Sequence, residues 1–189
     1  MTWLVNSAKW VEEVVLENGL RRALQGPEKL LGEIGVREGM VLLDVGCGYG
    51  YLSIPAAKTV GSTGLVYAVD NDERKVMRLA RKAEVMGLKN LRPIRSEAWR
   101  LDGVPREGVD VAVMLYSLHH FERVRESLEE AWRRLKRGGR LFVYEPIKSR
   151  FAGHGTVADE VLELGSELGY EVGSLRRGVL TYRLELVRP

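Results

Sequence analysis

The stretch Leu42–Gly50 reads LLDVGCGYG, an acid within an apolar run followed by glycine at every second position. Glycines Gly46, Gly48 and Gly50 permit positive φ and let a backbone come close to a ligand. Asp44, at the strand end, can accept hydrogen bonds from that turn or from a cationic group. Asp70 closes the run LVYAVD 20 residues after Gly50. An acid so placed can accept both hydroxyls of a ribose. Asp70, Asn71 and Asp72 are also all good N-cap residues for a following helix. His119 and His120 are adjacent, whereas helical metal ligands recur at i and i+4, so no metal site is expected. Packing near the site is the preferred reading of the pair, and a general base among His119, His120 and the loop residue His154 is the alternative. Cys47, between two glycines, lacks an activating base nearby in sequence and reads as a small buried residue.

The chemistry these residues could do is bounded by composition. The chain has 189 residues, 45% hydrophobic and 29% charged, which suits one soluble domain spanning residues 1–189. Its net charge is +3, and the signs interleave, as in DERKVMRLARKAE, which fits a solvated helix face better than a nucleic-acid patch. A single cysteine rules out a disulfide framework and a multi-cysteine metal site. The opening MTWLVNSAKWVEEVV lacks the basic and long apolar regions of a secretory leader, and no run reaches the ~20 apolar residues of a membrane span. A cytoplasmic location is expected.

The elements that must hold these residues alternate between strand and helix. Trp10, Val11, Val14 and Val15 recur at helical spacing. A helix from Pro27 to Gly35 follows, and residues 1–35 are expected to form a helical cap or lid. Strands are predicted at Val41–Val45, Leu65–Val69, Leu91–Arg95, Val109–Leu115 and Arg140–Tyr144, and helices at Tyr51–Val60, Glu73–Met86, Glu122–Lys136 and Val157–Leu168. Pro93 cannot donate to a ladder and places the third strand at an edge. The fourth strand, the most apolar of the candidates, is predicted to be central. A hairpin of Tyr170–Leu175 and Val179–Val187 turns at Arg177-Gly178. Strand–helix alternation predicts a Rossmann-like, doubly wound, mostly parallel seven-stranded sheet, with one antiparallel C-terminal strand and helices on both faces. Ligands bind such sheets beyond the carboxyl ends of the strands, where the glycine turn lies.

A nicotinamide dinucleotide and an adenosyl sulfonium could both use the glycine turn with Asp70. The dinucleotide fingerprint Gly-x-Gly-x-x-Gly fits poorly: its third place falls on Tyr51 counted from Gly46, or on Ser53 counted from Gly48. The ordered set DVGCGYG, Asp70, SEA, DVAVMLYSLHHF and LKRGGRLFVYEP resembles the class I S-adenosylmethionine-dependent methyltransferases over Pro27 to Pro146, and is most similar to the ubiquinone/menaquinone type and related small-molecule enzymes. The resemblance implies a cofactor set of Asp44, Gly46, Cys47, Gly48, Gly50, Asp70, Asn71, Glu97, Ala98 and Leu115. The glycine turn and Asp44 would hold the methionine part, Asp70 the ribose, Asn71 would pack beside the adenine, and Glu97 would take the adenine amino group where many members have Asp. The carbonyl of Leu115 would meet the methionine amine. A small-molecule acceptor is expected from the same resemblance, since LYSLHH replaces the acidic-or-Asn–Pro–Pro–aromatic motif of enzymes that methylate exocyclic amines. An RNA or protein methyltransferase, a nicotinamide-dependent oxidoreductase and a non-catalytic cofactor-binding protein remain as alternatives. Residues 1–26 and the 147–156 loop are expected to face the acceptor.

Overall fold

The computed structural model describes residues 26–150, 153 and 155–189. The described elements run α1 (Pro27–Glu33), β1 (Val41–Val45), α2 (Ser53–Val60), β2 (Leu65–Asp70), α3 (Glu73–Val85), β3 (Leu91–Arg95) and β4 (Val109–Leu115). A 3₁₀ turn at Leu118–His120 leads to α4 (Val124–Arg134) and β5 (Leu135–Pro146). A second 3₁₀ turn at Lys148–Arg150 precedes α5 (Ala158–Glu167), β6 (Glu171–Arg177) and β7 (Thr181–Val187). Predicted residues 1–25, including the helical spacing around Trp10, lie outside the described residues, as does His154.

The seven strands form one sheet in the order β3-β2-β1-β4-β5-β7-β6. β7 alone runs antiparallel to its neighbours β5 and β6, and the other pairs are parallel. β4 sits fourth of the seven, and β3, carrying Pro93 opposite Ala68, is an edge. Both placements follow the sequence reading. Chain order reverses between β1 and β4, so the turn after β1 opens at a topological switch point.

Alternation along the strands divides the apolar residues between two layers. Leu42, Val66, Val111, Val113 and Phe142 pack on one face with Leu31 of α1, Ala56 of α2 and Leu79 of α3. Leu43, Val45, Met114, Leu141 and Val143 pack on the other with Leu128 and Ala131 of α4 and Val161 of α5. Among the described residues no helix is long and apolar enough to cross a membrane.

Several boundaries differ from expectation; most shift by one or two residues, and the C-terminal hairpin is made of Glu171–Arg177 and Thr181–Val187 rather than Tyr170–Leu175 and Val179–Val187. The helix after the glycines begins at Ser53 rather than Tyr51, because the turn continues through Leu52. The helix expected over Glu122–Lys136 is Val124–Arg134, and β5 starts at Leu135 instead of Arg140. Leu135 pairs with Val109, and a bulge carries the ladder on to Arg140 opposite Val111. The cause is distant in sequence. Gly138 N–H donates to the Arg188 carbonyl at 2.7 Å, Arg188 N–H donates to Gly139 at 2.9 Å, and the buried Arg188 guanidinium caps the Leu135 carbonyl while stacking 4.0 Å over Trp132.

α3 has its own cap. Asp72 accepts from the amides of Arg74 at 2.9 Å and Lys75 at 3.4 Å, so Asp70 is not the residue that starts the helix. Asp72→Ala is expected to fray the first turn of α3 and lower the melting temperature by about 2–4 °C in a circular-dichroism melt.

Candidate functional site

The glycine turn is fastened to the tip of β2. Gly46 and Cys47 donate their amides to the Val69 carbonyl at 2.8 and 3.0 Å, and Gly48 donates to Asp70 Oδ2 at 2.9 Å. Asp70 Oδ1 accepts the Asp72 amide at 3.0 Å. Each carboxylate oxygen has a second lone-pair site, so the group keeps acceptor capacity beyond these two bonds. Asp70 is buried and forms no ion pair with Lys or Arg among the described residues.

The three glycines do different work. All have positive φ, at 77°, 54° and 86° for Gly46, Gly48 and Gly50. A Cβ on Gly46 would lie 2.4 Å from Cβ of Ser117, and one on Gly50 would lie 2.3 Å from Cδ1 of Leu79. Those two positions are filled by the protein itself. A Cβ on Gly48 would meet nothing within 4 Å, so open space lies there. Of the three, only Gly48 has open space on the side where a side chain would point.

Beneath the turn, Asp44 is 2% exposed and accepts the Ser53 hydroxyl at 2.5 Å through Oδ2. Burial pushes its carboxyl up from 3.8 to about 7; the Ser53 bond opposes that rise and the nearby Asp70 charge adds to it. Cys47 is also buried, and desolvation, with the Asp44 and Asp70 carboxylates, pushes its thiol well above the ordinary range. It stays a thiol, as its reading as a small buried residue implies.

The second row of candidates lies at the ends of β2, β3 and β4. Asn71 Nδ2 donates to Glu97 Oε2 at 3.1 Å, which brings these two sequence candidates together. Ala98 is buried next to them in sequence, in the loop after β3. Leu115 ends β4, and Tyr116 follows with φ 53°, a left-handed conformation rare for a bulky side chain. Ser117 then donates its hydroxyl to the Val45 carbonyl at 2.8 Å, tying the β4 exit to the β1 exit.

His119 and His120 separate in role. The rings lie 3.9 Å apart, but His119 turns inward and places Nδ1 2.6 Å from Glu145 Oε2, while His120 is exposed. Ser53, Ser117 and Glu145 were not singled out in the sequence. Ser53 had a usable signal, a hydroxyl nine residues after Asp44 at the start of a helix. Glu145 had only its place at the end of the last parallel strand.

Asp44 makes stability depend on pH. Its folded-state value exceeds its unfolded one, so the folded protein retains a proton that the unfolded chain releases. Stability is then highest below about 3.8 and declines as pH rises to about 7. At about 1.4 kcal/mol per pH unit the loss is on the order of 4 kcal/mol. Asp44→Asn keeps the shape and an acceptor for Ser53. It should raise the melting temperature by several degrees at pH 8, with the gain vanishing toward pH 4 in a melt series.

Comparison with known proteins places this geometry. Residues 42–139 match the family described as Methyltransferase domain. The "Probable cobalt-precorrin-6B C(15)-methyltransferase (decarboxylating)" of Saccharolobus solfataricus is 29% identical over 114 residues, 60% of this chain and 56% of that protein. The ubiquinone/menaquinone biosynthesis C-methyltransferase UbiE of Azotobacter vinelandii is 32% identical over 126 residues, 66% of this chain and 49% of that protein. The chain spans about half the length of these curated relatives. The crystal structure of a SAM dependent methyltransferase from Aquifex aeolicus is similar with a TM-score of 0.79 and 30% identity, covering 92% of this chain and 95% of the other. The family match runs from β1 into β5, and the chain belongs to the class I S-adenosylmethionine-dependent methyltransferases.

Proposed function

We propose that this chain binds S-adenosylmethionine at the β1, β2 and β4 exits and transfers its methyl group to a small-molecule acceptor. The observation that carries the reading is a pair of buried carboxylates, Asp44 and Asp70, with no Lys or Arg ion pair among the described residues, beside open space at Gly48. A buried acid without a cationic partner is costly, and a ligand bearing an ammonium and ribose hydroxyls fits both. When bound, the sulfonium supplies a methyl group already electrophilic enough for in-line displacement.

The protein's own residues have binding and orienting work. Asp44 and the Leu115 carbonyl take the ammonium, and the turn of Gly46, Cys47, Gly48 and Gly50 supports the methionine chain. Asp70 accepts the ribose hydroxyls. Asn71 and Ala98 flank the adenine, and Glu97 accepts from its amino group. Holding an acceptor at near-attack distance with water excluded can lower the barrier by ~7–11 kcal/mol. The curated relatives named for precorrin and ubiquinone/menaquinone chemistry favour a small acceptor over RNA or protein.

Isothermal titration with S-adenosylhomocysteine is expected to give micromolar or tighter affinity, with NADH giving no heat. Absence of binding by both S-adenosylmethionine and S-adenosylhomocysteine would overturn the reading. Asp70→Asn, which keeps one acceptor oxygen for the turn, should weaken binding at least about tenfold. Affinity should also rise between pH 6 and 8. The ligand's ammonium favours ionised Asp44, whose carboxyl sits at about 7 in the free protein, so binding releases a proton. Titrations in buffers of differing ionisation enthalpy read that proton directly, and no buffer dependence would remove Asp44 from the ammonium site.

A further inference from the structure

Positive charge is concentrated in one segment of the chain. Residues 71–95 hold eight Lys and Arg against three acids, +5, so the remainder carries −2 of the +3 total. In sequence the signs interleave, but on the folded helix they part. Asp72 caps α3 and pairs with Arg74, and Glu73 pairs with Arg95. Arg78, Arg81 and Lys82 form no ion pair among the described residues. Glu84, the remaining acid of α3, is exposed.

The core takes Val76, Leu79 and Ala83, so the helical period turns Arg74, Met77, Arg78, Arg81 and Val85 outward. Met77 is 65% exposed, Val85 81% and Met86, at the helix end, 45%. A single exposed apolar residue is ordinary, but these stand together among cations on one convex face. Arg78, Arg81, Lys82, Val85 and Met86 line an open groove of about 340 Å³ there. Long cationic side chains lay their methylene stems along apolar neighbours and keep the charge in water, which makes such a groove apolar within and positive at its rim. Two of the cations are anchored. Lys82 Nζ donates to the Tyr49 carbonyl at 3.2 Å, and the Arg78 guanidinium lies 5.0 Å from the Tyr49 ring centroid. The strip therefore adjoins the glycine turn.

We propose that the outer face of α3 docks this chain on an anionic lipid bilayer, with Arg74, Arg78, Arg81 and Lys82 at the lipid phosphates and Met77 and Val85 among the upper acyl chains. Charge complementarity selects an anionic partner, and guanidinium groups meet phosphate oxygens with paired hydrogen bonds. The apolar residues select a bilayer over a nucleic acid. α3 carries no aromatic residue on which bases could stack, and Tyr49 at its edge lies under Arg78. Exposed methionine and valine gain nothing from a sugar-phosphate backbone, whereas at a lipid interface their burial adds to the attraction of the cations. A convex helix face also suits a planar partner better than it suits a peptide that needs a cleft. Docked this way, the chain holds the glycine turn close to the bilayer surface. The docking does not depend on the methyl-donor reading.

Vesicle flotation of the full chain tests the proposal. The chain should float with phosphatidylcholine vesicles containing about one-third phosphatidylglycerol at about 0.1 M salt, and stay in solution with phosphatidylcholine alone or at about 1 M salt. Arg78 and Lys82 touch the cofactor turn, so the substitutions are made at the exposed positions beyond it. Arg81→Gln should lower the partition coefficient about fivefold. Met77→Ser combined with Val85→Ser should lower it about tenfold. Both variants should keep the parent's circular-dichroism spectrum and melting temperature. No flotation with the anionic vesicles overturns the proposal, and so does equal partition of parent and variants, which would put the contact elsewhere. Loss of binding in Arg81→Gln with none in the Met77/Val85 variant means bare anion attraction and overturns the insertion. Release from the vesicles by millimolar glycerol phosphate would assign the face to a free phosphate, and tighter binding to random-sequence single-stranded RNA than to vesicles would assign it to nucleic acid; either result overturns the bilayer.

Discussion

Three amides of the Gly46–Gly50 turn, those of Gly46, Cys47 and Gly48, are satisfied by the tip of β2, while the Gly50 amide bonds to the Cys47 carbonyl within the turn. Two of them share the Val69 carbonyl and a third ends on the Asp70 carboxylate. A hydrogen bond to a charged group is worth about 1.5–3 kcal/mol, and its loss leaves a partly buried amide without a partner. Asp70 is therefore a fastening for the turn, and since the proposed function also gives it the ribose, the two roles cannot be separated by deleting the side chain. The turn must follow β2, and β2 must lie beside β1 in the register Asp44 to Ala68 and Val45 to Val69. Core packing on the two faces of the sheet enforces that register, because a slip of one residue would turn Leu42, Val66 and Val111 to the wrong layer.

Charge at the strand exits runs against that of the whole chain. The net charge is +3, yet Asp44, Asp70 and Glu145 lie buried at the carboxyl ends of β1, β2 and β5. Glu130, another buried acid, illustrates the contrast, since Arg133 and Arg134 both pair with it. Burial of three acids with no Lys or Arg partner among the described residues favours a negative potential at one edge of the sheet, where low-dielectric walls strengthen it. Asp44 meets part of the cost by holding a proton through burial, at a carboxyl value of about 7. The proposed function uses that proton, which a bound ammonium would displace.

Much of this was legible in the residues because it is local. The period of the apolar pattern marks the strands, Pro93 marks an edge, and the string of Asp44, glycines and Asp70 marks the switch point within 27 residues of chain. The division of labour among the glycines was not legible. Positive φ is written in the residue type, but Gly46 and Gly50 are required by Ser117 and Leu79, which arrive from 71 and 29 positions away. The early start of β5 was hidden for the same reason. Lys136–Gly139 reads as a helix stop, and only Arg188, supplied by the last strand's exit, turns it into paired backbone. Likewise Asp70, Asn71 and Asp72 are equivalent caps by composition, and the α3 amides choose Asp72 because Asp70 is still within the β2 ladder.

Glu145 marks the boundary of what local pattern can reach. In FVYEP it is an acid closing a strand, indistinguishable from a solvated end. Parallel pairing sets Leu115 opposite Tyr144, and that register delivers the residue after Tyr144 to the turn that follows β4. The carboxylate then meets an amide and an imidazole 26 to 27 positions earlier in the chain. The buried acid thus separates the two adjacent histidines, holding His119 inward while His120 stays exposed, and the sheet register is what places the acid there.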